Sequence, residues 1–356
     1  MRVPAAAANV GIGLAMQALI AIPLAVYHPQ PVLAADLISP PEWVTTDNGV
    51  MLKRMSDENT KIADSNKGAK RVFDQAVELA KRGSDEDTQI RDDKILAFAE
   101  EKFTLVADEL APNYAYAFTN RGNVRVARGN YVGAVADYGR ALQLAPLAPD
   151  NWVMFLNRGS TLLEIQRPTE ALADLQRAVE LSKSDRYTLL GRGACYHALG
   201  QWEAAVNDYG AVLSKYPNDV QPFWLRYSLD LGEVGRRQEA LGIARRLSAK
   251  FDIEPETNLA VQTLLWRDGT DVDRDEALRR WKVSPEVTKR REIEFDVRQR
   301  QWPPGARAAA ADFLAAMPKP PPLQEAPPEI APAAVPAPAA VPAPAAVPAP
   351  AAVPAS

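Results

Sequence analysis

Between residues 115 and 219 small, apolar and charged side chains return in one fixed order three times. FTNRGNVRVARGNYVGAVADYGRALQLAP begins at Phe118, FLNRGSTLLEIQRPTEALADLQRAVELSK at Phe155 and LLGRGACYHALGQWEAAVNDYGAVLSKYP at Leu189, and they align without internal gaps. Gly122, Gly159 and Gly193 form one column and Ala134, Ala171 and Ala205 a second. Tyr138, Leu175 and Tyr209 form a third, followed by Ala141, Ala178 and Val212. Pro146 and Pro217 close the first and third units. Apolar positions recur at helical spacing in two segments of each unit, separated by a turn such as Arg128-Gly129-Asn130. The pattern predicts antiparallel helix pairs. Glycine and alanine sit where the two helices approach, the larger residue fills the gap, and proline stops the second helix. One pair cannot bury its face alone, so the units must stack into an all-α solenoid with a continuous core.

The offsets between units are 37 and 34 residues, with the excess in the loop Leu147–Asp150. Fainter units flank the three. Trp224, Ser228, Leu231, Gly235, Ala240 and Ala244 give a degenerate fourth, and Ala99, Phe103, Ala107 and Pro112 give the second helix of one upstream, after a first helix over Lys67–Lys81. Further helices are expected over Glu256–Arg267, Asp273–Trp281, Pro285–Gln301 and Ala306–Met317. The resulting division is an N-terminal extension 36–66, an array 67–252 (units 67–112, 115–148, 152–185, 186–219 and 221–252) and a helical cap 253–317.

The ends differ in composition. Residues 1–35 carry a single charge, Arg2, then the apolar run Val10–Val26, then Val32-Leu33-Ala34-Ala35. This is the layout of a signal for transfer across a membrane. The alternative is a permanent anchor, for which a run interrupted by Pro23 is at the lower limit of the ~30 Å hydrocarbon thickness. A mature N-terminus at or near Asp36 would exclude the anchor. From Pro318 to Ser356 proline and alanine dominate, with Val335, Val341, Val347 and Val353 in step. Proline fixes φ and removes amide donors, so this tail is expected to be a disordered spacer.

Composition removes several function classes. The net charge is −4, with no basic stripe, which argues against nucleic acid. The lone Cys195 excludes an intramolecular disulfide framework and a four-cysteine metal site. Two histidines, His28 and His197, leave little for catalysis, and no phosphate loop or nucleophile motif is present. Cys195 is expected to be a small buried residue between helices. Asp268, Asp271, Asp273 and Asp275 resemble a calcium loop, but Gly269 precedes most of them; Asp275 and Glu276 suit a helix first turn instead. Arg121, Arg158 and Arg192 recur with Asp137, Asp174 and Asp208, which suggests scaffold ion pairs, worth ~0–1 kcal/mol each if exposed. No cofactor, metal or enzymatic activity is expected.

The columns resemble the tetratricopeptide repeat family, whose pattern is W-x2-LG-x2-Y, A-x3-F and P at a 34-residue period. Phe118, Phe155 and Leu189 replace the tryptophan and the three arginines replace the leucine. The resemblance implies a right-handed superhelix whose first helices line a concave groove for a partner's peptide or helix. By that resemblance the groove comprises Tyr116, Thr119, Asn123 and Val126, then Val153, Leu156, Asn157, Ser160 and Leu163, then Tyr187, Leu190, Ala194 and His197. One subgroup of the family holds acidic C-terminal peptides of chaperones. Asn123 and Asn157 match its asparagines, but Thr119, Tyr187 and Gly191 stand at its basic positions, so such peptides are disfavoured. With its transfer signal and Trp302-Pro303-Pro304 near its end, the chain also resembles repeat proteins of the chloroplast thylakoid lumen in plants and algae, with cyanobacterial relatives. That implies a role in assembling or maintaining photosynthetic or other membrane complexes, or a periplasmic equivalent in a bacterium.

Overall fold

A computed structural model describes residues 49–62, 66–84, 91–251, 255–267, 270–285, 289 and 302–318. The apolar run 10–26, most of the helix expected over Pro285–Gln301 and the tail beyond Pro318 lie outside the described residues. Fourteen α-helices and no strand occur among those residues. After α1 (Gly49–Asn59) come six antiparallel pairs. They are α2 (Lys67–Gly83) with α3 (Asp93–Leu105), α4 (Ala115–Ala127) with α5 (Tyr131–Leu144), and α6 (Asn151–Glu164) with α7 (Pro168–Ser182). Then follow α8 (Arg186–Ala198) with α9 (Trp202–Lys215), α10 (Trp224–Glu233) with α11 (Arg237–Lys250), and α12 (Pro255–Arg267) with α13 (Asp271–Val283). The last helix is α14 (Pro304–Ala316). None of these helices is long and apolar enough to cross a membrane.

Local chemistry explains the boundaries. The Asn66, Asp92, Asn130, Asp185 and Thr270 side chains accept from amides at the starts of α2, α3, α5, α8 and α13, meeting donors that a helix leaves open. The turn within four successive pairs holds one residue at positive φ: Gly129 (79°), Gln166 (60°), Gly200 (72°) and Gly235 (77°). Glutamine does not favour that region, so Gln166→Gly is expected to raise stability by up to ~1 kcal/mol, read as a higher urea midpoint.

The small-residue columns are the seams of the pairs. A Cβ on Gly122 would lie 2.8 Å from the Tyr138 ring, one on Gly159 2.7 Å from Leu175, and one on Gly193 2.7 Å from the Tyr209 ring. Ala134, Ala171 and Ala205 are fully buried, as are Tyr138, Leu175 and Tyr209. Cys195 is also fully buried; its thiol donates to the Pro168 carbonyl at 3.1 Å, and burial pushes it up to about 12. The apolar core forms two large clusters, one from Phe73 to Cys195 and one from Val179 to Met317, which adjoin where α7 meets α8. α1 seals the edge of α5: Asn59 donates to the Leu144 carbonyl at 2.8 Å, and Ser56 Oγ accepts from the Leu147 amide at 2.9 Å.

Successive first helices (α4, α6, α8, α10, α12) touch one another, whereas second helices make no comparable contact, so the first helices lie inside the curve. The last helix breaks the stacking order. α14 does not continue the column behind α13 but packs across α12 and α10, on the inner side. Glu233, at the end of α10, holds its N-terminus: Glu233 accepts from the Gly305 and Ala306 amides at 3.3 and 2.9 Å and from Arg267 at 2.6 Å. A carboxylate there meets both the open donors and the positive end of the helix dipole. Trp302 anchors the entry by donating to Glu256 at 3.0 Å, and Phe313 meets Trp266 and Trp281 edge-on.

Candidate functional site

The repeated charges form forks across each pair. Arg121 donates to Asp137 at 3.0 and 2.7 Å, Arg158 to Asp174 at 2.7 and 2.6 Å, and Arg192 to Asp208 at 2.8 and 2.7 Å. They are scaffold pairs, but the expectation of exposed pairs needs correction. Arg158 and Asp174 are each only 6% exposed, and Arg121 and Asp137 8% and 4%. Desolvation drives the Asp137 and Asp174 carboxyls up against the pull of their arginines. Of the acidic stretch, Asp268 lies outside the described residues, and Asp273 and Glu276 are scaffold. The helix begins at Asp271, so the acidic residues of its first turn are Asp271 and Asp273 rather than the expected Asp275 and Glu276; Asp273 completes a capping box with Thr270 and pairs with Arg237, while Glu276 pairs with Arg245 and Arg280.

The expected groove residues divide in two. Asn123 and Asn157 are buried, with the Asn157 amide donating to Asn123 Oδ1 at 3.0 Å and the Tyr138 hydroxyl donating to the same oxygen at 2.8 Å. Thr119 and Ser160 are buried and return their hydroxyls to carbonyls one turn back, Ala115 and Leu156. Val153 and Leu156 are buried too, and His197 is buried against Asp230 at 2.7 Å and edge-on to Trp202. These seven are therefore covered by packing rather than presented as a free surface; Asn123, Asn157 and His197 bond neighbouring helices, and Thr119 and Ser160 their own. The cause is the close approach of first helices inside the curve, which covers positions that a single helix would leave open. Tyr116 is half-buried and donates to Asp150 at 2.9 Å.

Tyr187 and Leu190 do reach a cleft. It opens between α8 and α10, has a volume of about 90 Å³, and is lined also by Arg186, Ala194, Tyr209, Gln221, Pro222, Phe223 and Arg226. Arg186 donates to Asp219 at 2.9 Å and stacks over Tyr216; Gln221 donates to Asp219 at 2.6 Å. Tyr209 packs its ring against Phe223 and Tyr227, and its fully buried hydroxyl has no hydrogen-bond partner among the described residues. Sequence reasoning missed Arg226. It stands two residues after Trp224, as Asn157 stands two after Phe155, and the degenerate fourth unit hid that correspondence. Among the described residues no three histidine, cysteine or acidic side chains gather as a metal site.

Residues 187–219 match the family model of the tetratricopeptide repeat. No curated protein matches the chain. Among solved structures the chain is similar to YrrB, a TPR protein with an unusual peptide-binding site, at 22% identity and TM-score 0.41 over 58% of this chain and 95% of that one. It is similar to MamA at 16% identity and TM-score 0.42, over 51% and 95%. A tetratricopeptide repeat protein from Parabacteroides merdae gives 17% identity and TM-score 0.46, over 69% and 98%. The third aligned unit is thus a tetratricopeptide repeat, and the chain that carries it is an all-α solenoid of stacked helix pairs.

Proposed function

We propose that the protein is a non-enzymatic scaffold that binds segments of other proteins along the inner face of its first helices. The observation that carries this is α14: the chain's own helix already lies on that face across α10 and α12, through a carboxylate-capped N-terminus and an apolar side. A surface that accepts one amphipathic helix has the chemistry to accept another segment beside it. The transfer signal and the resemblance to lumenal repeat proteins favour work on membrane complexes on the lumenal or exported side, with a mature chain starting near Asp36. No nucleic acid, cofactor or acidic chaperone peptide enters this proposal.

Burial of Asn123 and Leu156 makes substitutions there tests of folding, so a site-specific photo-crosslinker suits the question better. Placed at Ala194, inside the cleft, it is expected to capture partner proteins in extracts of the native cells, whereas at Asn207, exposed on α9, it is not. Equal capture at both positions, or none at either, defeats the proposal.

A further inference from the structure

The cleft between α8 and α10 has an unbalanced set of polar groups. The Arg226 guanidinium enters no hydrogen bond or ion pair among the described residues, and the Tyr209 hydroxyl and Arg186 Nε are buried without partners. All three can donate. Gln221 and the Arg186 terminal nitrogen are already committed to Asp219, and the described lining contains no carboxylate. A buried donor left unmet is costly, so a ligand rich in carbonyls and poor in N–H groups is the one that gains. The walls are aromatic and ring-shaped: Tyr187, Phe223 and Pro222.

Charge decides between two acceptor-rich ligands, an anion and a neutral chain. Arg186 is already paired with Asp219 at 2.9 Å, and Arg226 already acts on two carboxylates, Glu164 and Asp230, so an added anion would meet like charge around both cations of the cleft. A neutral acceptor meets no such opposition. Size decides further. A cleft of about 90 Å³ has room for a small ring and not for a helix ~10 Å across.

We propose that this cleft binds a proline-rich segment of a partner protein in extended polyproline II form, one pyrrolidine ring between Tyr187 and Phe223 and its carbonyls on Arg226 and Tyr209. Proline supplies an acceptor and no donor, and three residues per turn bring every third ring to the same side. The proposal rests on the inner face being a protein-binding surface and specifies what this part of it takes.

The test is fluorescence anisotropy on the full chain, with a labelled peptide of six Ala-Pro-Pro units as probe. A peptide of equal length rich in glutamate, with a free C-terminus, and a Gly-Ala peptide serve as comparisons. The Ala-Pro-Pro peptide is expected to bind saturably and at least tenfold more tightly than either. Tyr209→Phe removes only a hydroxyl that has no partner among the described residues, so it should leave the melting temperature in place while weakening the peptide about fivefold. Arg226→Leu should weaken it tenfold or more. Absence of saturable binding, preference for the glutamate peptide, or indifference to both substitutions overturns the proposal. If capture at Ala194 persists in that event, the scaffold function stands and only the ligand class falls; if capture is also lost, both fall.

Discussion

Asp174→Ala is expected to lower stability by about 3–5 kcal/mol, because it strands a buried guanidinium. Arg158 is 6% exposed, and Asp174 is its one described ion-pair partner; its guanidinium also lies over the Phe155 ring at 6.0 Å. The neighbouring units set the comparison. Asp137→Ala leaves Arg121 with Asp108 at 3.0 Å and Arg125 with Glu100 at 2.9 Å, so a smaller loss is expected. Asp208→Ala leaves Arg192, 23% exposed, with access to water, and should cost least. The order Asp174, Asp137, Asp208 is the expected result of urea unfolding monitored by circular dichroism. Equal losses at 174 and 208 would show that burial does not set the value of these forks. Replacing both Arg158 and Asp174 by leucine should restore most of the loss, since no charge is then left without a partner.

Trp224→Ala should cost a similar ~3–5 kcal/mol for a different reason, the cavity left by the largest fully buried side chain of the array. Arg246 lies over the indole at 4.6 Å and loses its platform as well. The indole N–H has no partner among the described residues, so Trp224→Phe, which keeps an aromatic ring, should cost far less. Stacked pairs contact only their neighbours, which makes the damage local. Trp224 belongs to the cluster from Val179 to Met317, and hydrogen exchange should accelerate there while α2 to α6 keep their protection. Uniform acceleration along the chain would instead mean that the two clusters unfold as one.

How much of this was legible in the sequence depends on whether the contact repeats. The glycine, alanine and aromatic columns recur because each pair solves the same packing problem, and the coordinates place Gly122, Gly159 and Gly193 against Tyr138, Leu175 and Tyr209. The arginine–aspartate forks recur likewise, but their depth did not show, since burial depends on neighbours that spacing within one unit does not specify. The burial of the two groove asparagines did not show for the same reason. Asn123 and Asn157 face inward on single helices, yet the next first helix closes over them. What occurs once was hidden: Arg226 in a degenerate unit, and the path of α14, fixed by Glu233 reaching residues 72 and 73 positions away.

That path gives the array a measured length. The open inner wall, where we propose that a partner binds, ends where Glu233 holds α14, although the stack itself continues through α12 and α13. Pairs added behind α13 would lengthen the rod without lengthening its working surface, whereas a pair inserted between α7 and α8, where the two core clusters adjoin, would lengthen both. The fold thus carries its own stop, and under the proposed function the span of partner is set by where that stop is fastened.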